Sequence, residues 1–176
     1  NKALYPMSHR WYGSTLLFLP DYNESKTHLE TAITVYNDIE TPRFTEEYGH
    51  DPKALGLIFL AWTETLRGFP DKGLELSRKA VVHAETLDFP YGLAHVHFHA
   101  GNLFKDLNNP NKAEEHAEIL DTIASDQNFS LLTSGAMILL GWSKHSQGNS
   151  VPIKQIEQGL QQLEDTGSVF FQHMLV

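Results

Sequence analysis

Apolar residues recur every three to four positions along most of this chain, and polar residues separate them. The clearest segments are Leu29, Ala32, Ile33 and Tyr36, then Leu74 to Val81, then Ile153, Ile156, Leu160 and Leu163. This spacing predicts amphipathic helices, and proline marks several of the predicted helix starts. We predict helices near 3–18, 22–38, 52–67, 70–87, 90–107, 110–125, 128–147 and 151–165, and a truncated ninth from about Ser168.

Small residues also recur with a period of 40 positions. Gly101 and Gly141 are 40 residues apart, and Ala61 lies another 40 upstream. Each is followed about 12 residues later by Gly73, Ala113 or Ile153, and seven further on by Ala80, Leu120 or Leu160. A first copy at Gly13, Ser25 and Ala32 is offset by 48 residues. The eight extra residues predict an irregular linker near 40–51, which contains Pro42 and Gly49.

A repeat of this length is typical of stacked helical hairpins, whose small residues let paired helices pack closely. The sequence therefore predicts a single all-α domain over 1–176, a tetratricopeptide-like right-handed helical-repeat solenoid of about four helix pairs. Ala61, Gly101 and Gly141 are predicted to be buried at hairpin contacts. The units are longer than the usual tetratricopeptide unit, and the excess is expected in the helices and linkers.

Composition excludes several classes of protein. Thirteen basic residues against 22 acidic ones give a net charge of −9, which argues against nucleic acid as the partner. No cysteine is present, so a disulfide framework and a thiolate metal site are impossible. The longest apolar stretch, Ala54 to Trp62, is too short to span a bilayer. Without a signal pattern, a cytoplasmic location is expected, and both ends look cut, as in a piece of a larger protein.

Several strings resemble a known family in their order and spacing. They are Tyr48 to Pro52 (YGHDP), Leu60 to Trp62 (LAW), Gly68 to Leu74 (GFPDKGL), Leu87 to Pro90 (LDFP), and the spaced pairs Gly141 to Gly148 and Gly159 to Gly167. They resemble the tetratricopeptide-like C-terminal region of bacterial signalling proteins that join a cyclase, kinase or DNA-binding domain to a STAND-type ATPase. The resemblance implies a sensor or protein-binding arm without catalytic residues. Gly73, where the family usually has Ala, and Asn108 to Pro110, in place of a Gly-containing turn, depart from it.

The motifs that could carry chemistry favour structural interpretations. Gly68 to Gly73 has the glycine spacing of a phosphate-binding loop, but Leu74 follows instead of Lys, so an inter-helix turn is expected. Among His95, His97 and His99, only the first and third share a helix face, and no third metal ligand is near. A cluster of carboxylates on one predicted helix is expected to form a solvent-exposed face; its members are Glu114, Glu115, Glu118 and Asp121. We therefore predict no enzyme activity, metal or cofactor in this chain.

A binding groove is the remaining hypothesis. Trp62 and Trp142 each follow the small residue of their repeat by one position, where tetratricopeptide geometry points into a concave surface. The groove-lining set predicted for a ligand or peptide is Arg10, Trp62, Thr65, Phe98, Asn102, Lys105, Trp142 and His145, with Ile58 and Ile138 beside them. The alternative for both tryptophans is that they fill the core between repeats. A protein or peptide partner, or other domains of the same chain, is expected; the rival hypothesis is self-association into a homo-oligomer.

Overall fold

The structure, a computed structural model, describes residues 4–37, 44–149, 152–165 and 167. All regular secondary structure in these residues is helical. The helices are α1 (Leu4–Phe18), α2 (Tyr22–Asn37), α3 (Phe44–Tyr48), α4 (Pro52–Leu66), α5 (Pro70–Glu85), α6 (Pro90–Asp106), α7 (Pro110–Asp126), α8 (Ser130–Ser146) and α9 (Pro152–Asp165). The eight complete helices predicted from the pattern are confirmed, and the ninth, from Ser168, lies outside the described residues.

Local signals set the helix ends where the sequence predicts them. Proline occupies the first position of α4, α5, α6, α7 and α9, where its missing N–H costs no helical hydrogen bond. The Asp51 carboxylate caps α4 by accepting a hydrogen bond from the Ala54 N–H at 2.7 Å. The turns after α4, α6 and α8 contain Gly68, Asn108 and Gly148 in the left-handed conformation, 40 residues apart. Asn tolerates this conformation, so Asn108 replaces glycine without losing the turn.

Contacts divide the chain into two compact units, residues 1–92 and 93–176. In the N-terminal unit, α1 packs against α2 and α4, α2 against α4, and α4 against α5. The Ser25 hydroxyl in α2 donates a hydrogen bond to the Gly13 carbonyl of α1 at 2.8 Å. A Cβ built on Gly73 in α5 would lie 2.8 Å from the Ala61 carbonyl oxygen of α4. Both contacts depend on small residues at the repeat positions.

In the C-terminal unit, α7 packs against α8, and α8 against α9. The helix α6 meets α7 where Gly101 lies against the Ala113 carbonyl, and it meets α8 where the Phe98 ring covers Gly135. Ala61, Gly101 and Gly141 are all buried, as predicted, and Ala61 and Gly101 lie at contacts within hairpins. None of the helices in the described ranges is long and apolar enough to cross a membrane.

The 40-residue register is wrong in α9. Ile153, the expected counterpart of Gly73 and Ala113, is 63% exposed. Gly159 and Leu163 are the buried residues of this helix instead. The helices α5 and α7 begin two residues after the left-handed residue of the preceding turn, whereas α9 begins four residues after Gly148. The helix α9 therefore packs against α8 through Gly159, which contacts Ile138 and the Ser134 carbonyl.

The predicted irregular linker contains a short helix. Residues 40–43 lie outside the described ranges, but α3 occupies Phe44–Tyr48. Phe44 is buried in a cluster with Met7 and Tyr36, and its ring stacks on Tyr36 at 5.3 Å between centroids. The segment therefore supplies a core side chain and is not only a spacer.

Candidate functional site

The predicted groove residues of the N-terminal unit are largely buried. Trp62 is 8% exposed, and its ring meets the edge of Phe18 at 6.4 Å. Arg10 is 7% exposed, with its guanidinium carbon 4.7 Å from the Trp11 ring centre. Burial lowers the Arg10 pKa to about 10, and its Nε has no hydrogen-bond partner. Thr65 is half-buried, and its hydroxyl donates to the Ala61 carbonyl at 2.9 Å, beside Gly73.

The predicted residues of the C-terminal unit differ in exposure. Phe98 is fully buried, so it is a core residue and not the groove wall that the spacing predicted. Asn102 is 1% exposed, and its Nδ2 donates to the Phe98 carbonyl at 2.9 Å, one turn earlier in α6. Lys105 lies 3.4 Å from Asp106 and is half-buried, as is Trp142, while His145 is exposed.

Ile58 and Ile138 are core residues too, at 0% and 3% exposed. The accessible members of the predicted groove are thus few within each unit. Since Trp62 belongs to one unit and Trp142 to the other, a continuous surface joining them stays a prediction.

The histidines form pairs across hairpins. Nδ1 of His97 in α6 lies 3.0 Å from Nδ1 of His116 in α7, and Nδ1 of His9 in α1 lies 2.8 Å from Nδ1 of His28 in α2. Burial lowers the pKa of His97 and of His116 to about 4, with Lys112 adding to the effect on His116 and Glu115 opposing it. Both imidazoles are therefore neutral at pH 7, and one donates its Nδ1 proton to the other.

Sequence reasoning missed these pairs because it compared only histidines within one helix. His95 and His99 do lie together, with ring centres 4.9 Å apart, but His97 points to α7. The signal was the repeat itself: both pairs are 19 residues apart, and they are related by 88 positions, the sum of the 48 and 40 offsets. No group of three histidine and carboxylate ligands that could hold a metal ion occurs within the described residues.

A buried carboxylate on α4 has a structural role. The Glu64 side chain is 1% exposed, and its two oxygens accept from Arg67 Nη1 and Lys72 Nζ at 2.6 Å each. Burial alone raises its pKa, but the hydrogen bonds and charges of Lys72 and Arg67 outweigh burial, so the Glu64 pKa is lowered. The pair Glu64 and Lys72 ties α4 to α5.

The other motifs behave as structural elements. The inter-helix turn expected at Gly68 to Gly73 covers only Gly68 and Phe69, because α5 already begins at Pro70 and Gly73 lies inside that helix against α4. On α7, Glu115 pairs with Lys112, and Glu114 accepts from Gln147, at 2.6 Å each. Glu118 is exposed, which agrees with a solvated face.

An exposed face of α1, which we call the α1 outer face, is the first surface that the sequence analysis missed. Each of its large apolar side chains is at least 40% exposed, and Trp11 reaches 56%. At 100° per residue these positions fall within one continuous stripe, opposite the buried Gly13 and Leu17. The members are Leu4, Tyr5, Trp11, Tyr12 and Phe18, with Leu19 directly after the helix.

Two surface cavities accompany it. A polar one of about 580 Å³ in the C-terminal unit is lined by Ser125, Asn128, Ser130, Thr133, Ser134, Gln162 and Asp165. Another of about 410 Å³, which we call the basic cleft, lies between α4 and α5 and is lined by Lys53, Leu57, Arg78, Lys79, Val82, His83 and Thr86. Its basic side chains come from two different helices, so no short sequence motif predicts the cleft.

Comparison with models of known protein families finds no match to this chain, and comparison with curated proteins finds none either.

Proposed function

We propose that this chain is a non-catalytic, tetratricopeptide-like helical-repeat module that binds a protein or peptide partner, as an arm of a bacterial signalling regulator in the cytoplasm. The α1 outer face is the observation that carries the proposal. Contiguous exposed apolar side chains of this size are uncommon on a surface that meets only water, and they mark interaction sites. Tryptophan and tyrosine, both present here, contribute most to binding energy at protein interfaces.

The repeat supports the same proposal. Small residues at equivalent positions allow the two helices of successive hairpins to pack closely. Residues in the left-handed conformation follow equivalent helices at intervals of 40 positions. Hairpins of this kind stack into a right-handed superhelix in tetratricopeptide proteins, and their usual work is to hold other molecules. The pairs His9–His28 and His97–His116 and the buried Glu64 make contacts within hairpins, and we therefore assign them no catalytic role.

Self-association is the second candidate, because the α1 outer face could equally meet a second copy of the chain. A single-site variant separates the two. Trp11→Glu places a charge in the centre of the face, while Ile119→Glu, at an exposed apolar position of α7, is the matched control. Sedimentation of both variants and the natural chain over a wide concentration range reports self-association directly.

If the natural chain associates and only Trp11→Glu abolishes association, the second candidate is correct. If all three chains are monomeric, a photo-crosslinking residue at Leu4 in the source cells identifies the partner, which is then purified and titrated. Trp11→Glu should weaken its binding about tenfold or more, and Ile119→Glu should not. Equal affinity for Trp11→Glu and the natural chain would refute the proposed use of this face.

A further inference from the structure

The basic cleft concentrates positive charge on a chain whose net charge is −9. Lys53 and Leu57 are one turn apart on α4, and Arg78 and Val82 are one turn apart on α5. The cleft therefore has an apolar floor, Leu57 and Val82, between cationic groups from two helices. Val82 is 55% exposed, although it is aliphatic.

Two side chains that line the cleft, Lys53 on α4 and His83 near the end of α5, are held in place. Lys53 Nζ donates to Asn37 Oδ1 at 2.7 Å and lies 5.5 Å from the Tyr36 ring centre. His83 Nε2 lies 3.1 Å from Oδ1 of the buried Asp51, which fixes the orientation of the imidazole ring. These contacts place the two side chains at the cleft without assistance from a ligand.

Neighbouring carboxylates leave part of the positive charge unbalanced. Glu75 pairs with Lys79 at 2.6 Å, and Asp51 is buried behind His83. Arg78 is exposed and forms no ion pair with any described residue. Arg78 and Lys53 are thus the groups most able to take a carboxylate from outside.

We propose that the basic cleft binds an acidic peptide segment of a partner protein, with an apolar side chain of that segment on Leu57 and Val82 and its carboxylates at Arg78 and Lys53. This rests on the proposed partner-binding function and assigns a second contact surface to it. A small-molecule site would enclose its ligand and direct buried polar groups at it, whereas Arg78 and Lys79 stand exposed at the rim. Nucleic acid needs a wider basic surface than this acidic chain offers.

The test uses a fluorescent synthetic peptide of alternating glutamate pairs and leucine pairs, titrated into the whole chain by anisotropy. Two control peptides replace every leucine by serine or every glutamate by glutamine. The cleft variants are Arg78→Glu and Val82→Ser, and the charge-matched control is Lys112→Glu on exposed α7. Circular dichroism confirms that each variant is folded.

Arg78→Glu should weaken binding of the acidic peptide about tenfold and Val82→Ser about threefold, while Lys112→Glu should change it less than about twofold. Both control peptides should bind more weakly than the parent peptide.

The proposal is overturned if Lys112→Glu weakens binding as much as Arg78→Glu, if the serine peptide binds equally well, or if single-stranded DNA competes at equal charge concentration. If the natural chain self-associates and Arg78→Glu abolishes this, the occupant of the basic cleft is a second copy of the chain and not another protein. Because Trp11→Glu leaves the cleft intact, it should bind the peptide normally, so failure at the α1 outer face and failure here are distinguishable.

Discussion

His97 and His116 face each other across the α6–α7 hairpin with their Nδ1 atoms 3.0 Å apart, in the same repeat positions as His9 and His28. The equivalent sequence positions of the α4–α5 hairpin are Leu57 and Leu76, which are both buried. A neutral imidazole pair and an aliphatic pair thus occupy the same part of the hairpin. The difference is that only the imidazole pair responds to pH.

Protonation of the His97–His116 pair should destabilise the fold in acid. Both groups titrate at about 4 when folded and near 6.5 when unfolded, so the unfolded chain binds more protons between these values. Stability should therefore be highest above pH 6.5 and fall as the pH drops from 6.5 to about 4, by on the order of 3 kcal/mol for each histidine. Urea unfolding at a series of pH values measures this loss.

The double substitution His97→Leu with His116→Leu, which copies Leu57 and Leu76, should remove that part of the pH dependence. His9→Leu with His28→Leu is the matched control, because that pair is more exposed and should change the profile less. An unaltered loss of stability between pH 6.5 and 4 in the first double variant would assign the acid sensitivity to other groups.

Phe44 tests whether the inserted segment belongs to the core. We expect Phe44→Ala to cost about 3 kcal/mol or more, because it empties the space beside Met7 and Tyr36. Glu46→Ala, at an exposed position of the same short helix, should cost less than about 0.5 kcal/mol. Equal denaturation midpoints for the two variants would show that α3 contributes no packing.

The eight long helices were predictable because each depends on local signals. Pro70 and Pro110 begin helices by themselves, and Gly68 and Asn108 end the preceding ones through backbone conformation. The helix α3 was missed because five residues are too few to show a helical period.

Sequence period predicts which residues share a helix face but not how the helix is rotated against its neighbour. In α9 the period predicted a buried Ile153, but Ile153 is exposed and Gly159 is buried. The same limit applies to the groove hypothesis, since Phe98 and Arg10 share a repeat position that was predicted to face the groove, and both are buried. The basic cleft depends on how α4 and α5 pack against each other. The spacing of residues within either helix does not predict that packing.

Gly73 is expected to be required for the α4–α5 contact. Alanine is the better helix former by about 1 kcal/mol, but its Cβ here would overlap Thr65 Oγ1 and lie 2.8 Å from the Ala61 carbonyl. We therefore expect Gly73→Ala to destabilise the chain by about 1–3 kcal/mol. Gly101→Ala should cost less, because its nearest neighbour is the movable Leu139 Cδ1 at 3.0 Å. The reverse order in thermal unfolding would mean that α4 and α5 are further apart than described.

Gly101→Leu extends the comparison at the same site. A leucine side chain reaches past Leu139 toward His116, so overpacking should cost about 1–3 kcal/mol. Trp142→Ala, at a half-buried position, should lower the melting temperature less than Gly101→Leu does. If the predicted groove is functional, Trp142→Ala should still weaken binding of the partner identified through α1.

Arg10 should contribute unfavourably to stability. The residue is 7% exposed, its Nε has no hydrogen-bond partner, and no carboxylate among the described residues forms an ion pair with it. Replacing a buried, unpaired charge by an apolar side chain of similar length removes a desolvation cost, so Arg10→Met should stabilise the chain by about 1–3 kcal/mol. Arg78→Met, at an exposed position, should change stability by less than about 0.5 kcal/mol in the same urea titration. A destabilised Arg10→Met variant would show that its stacking on Trp11 outweighs the cost of burial. A stabilised variant that binds the α1 partner more weakly would instead show that Arg10 is retained to receive an anionic group of that partner.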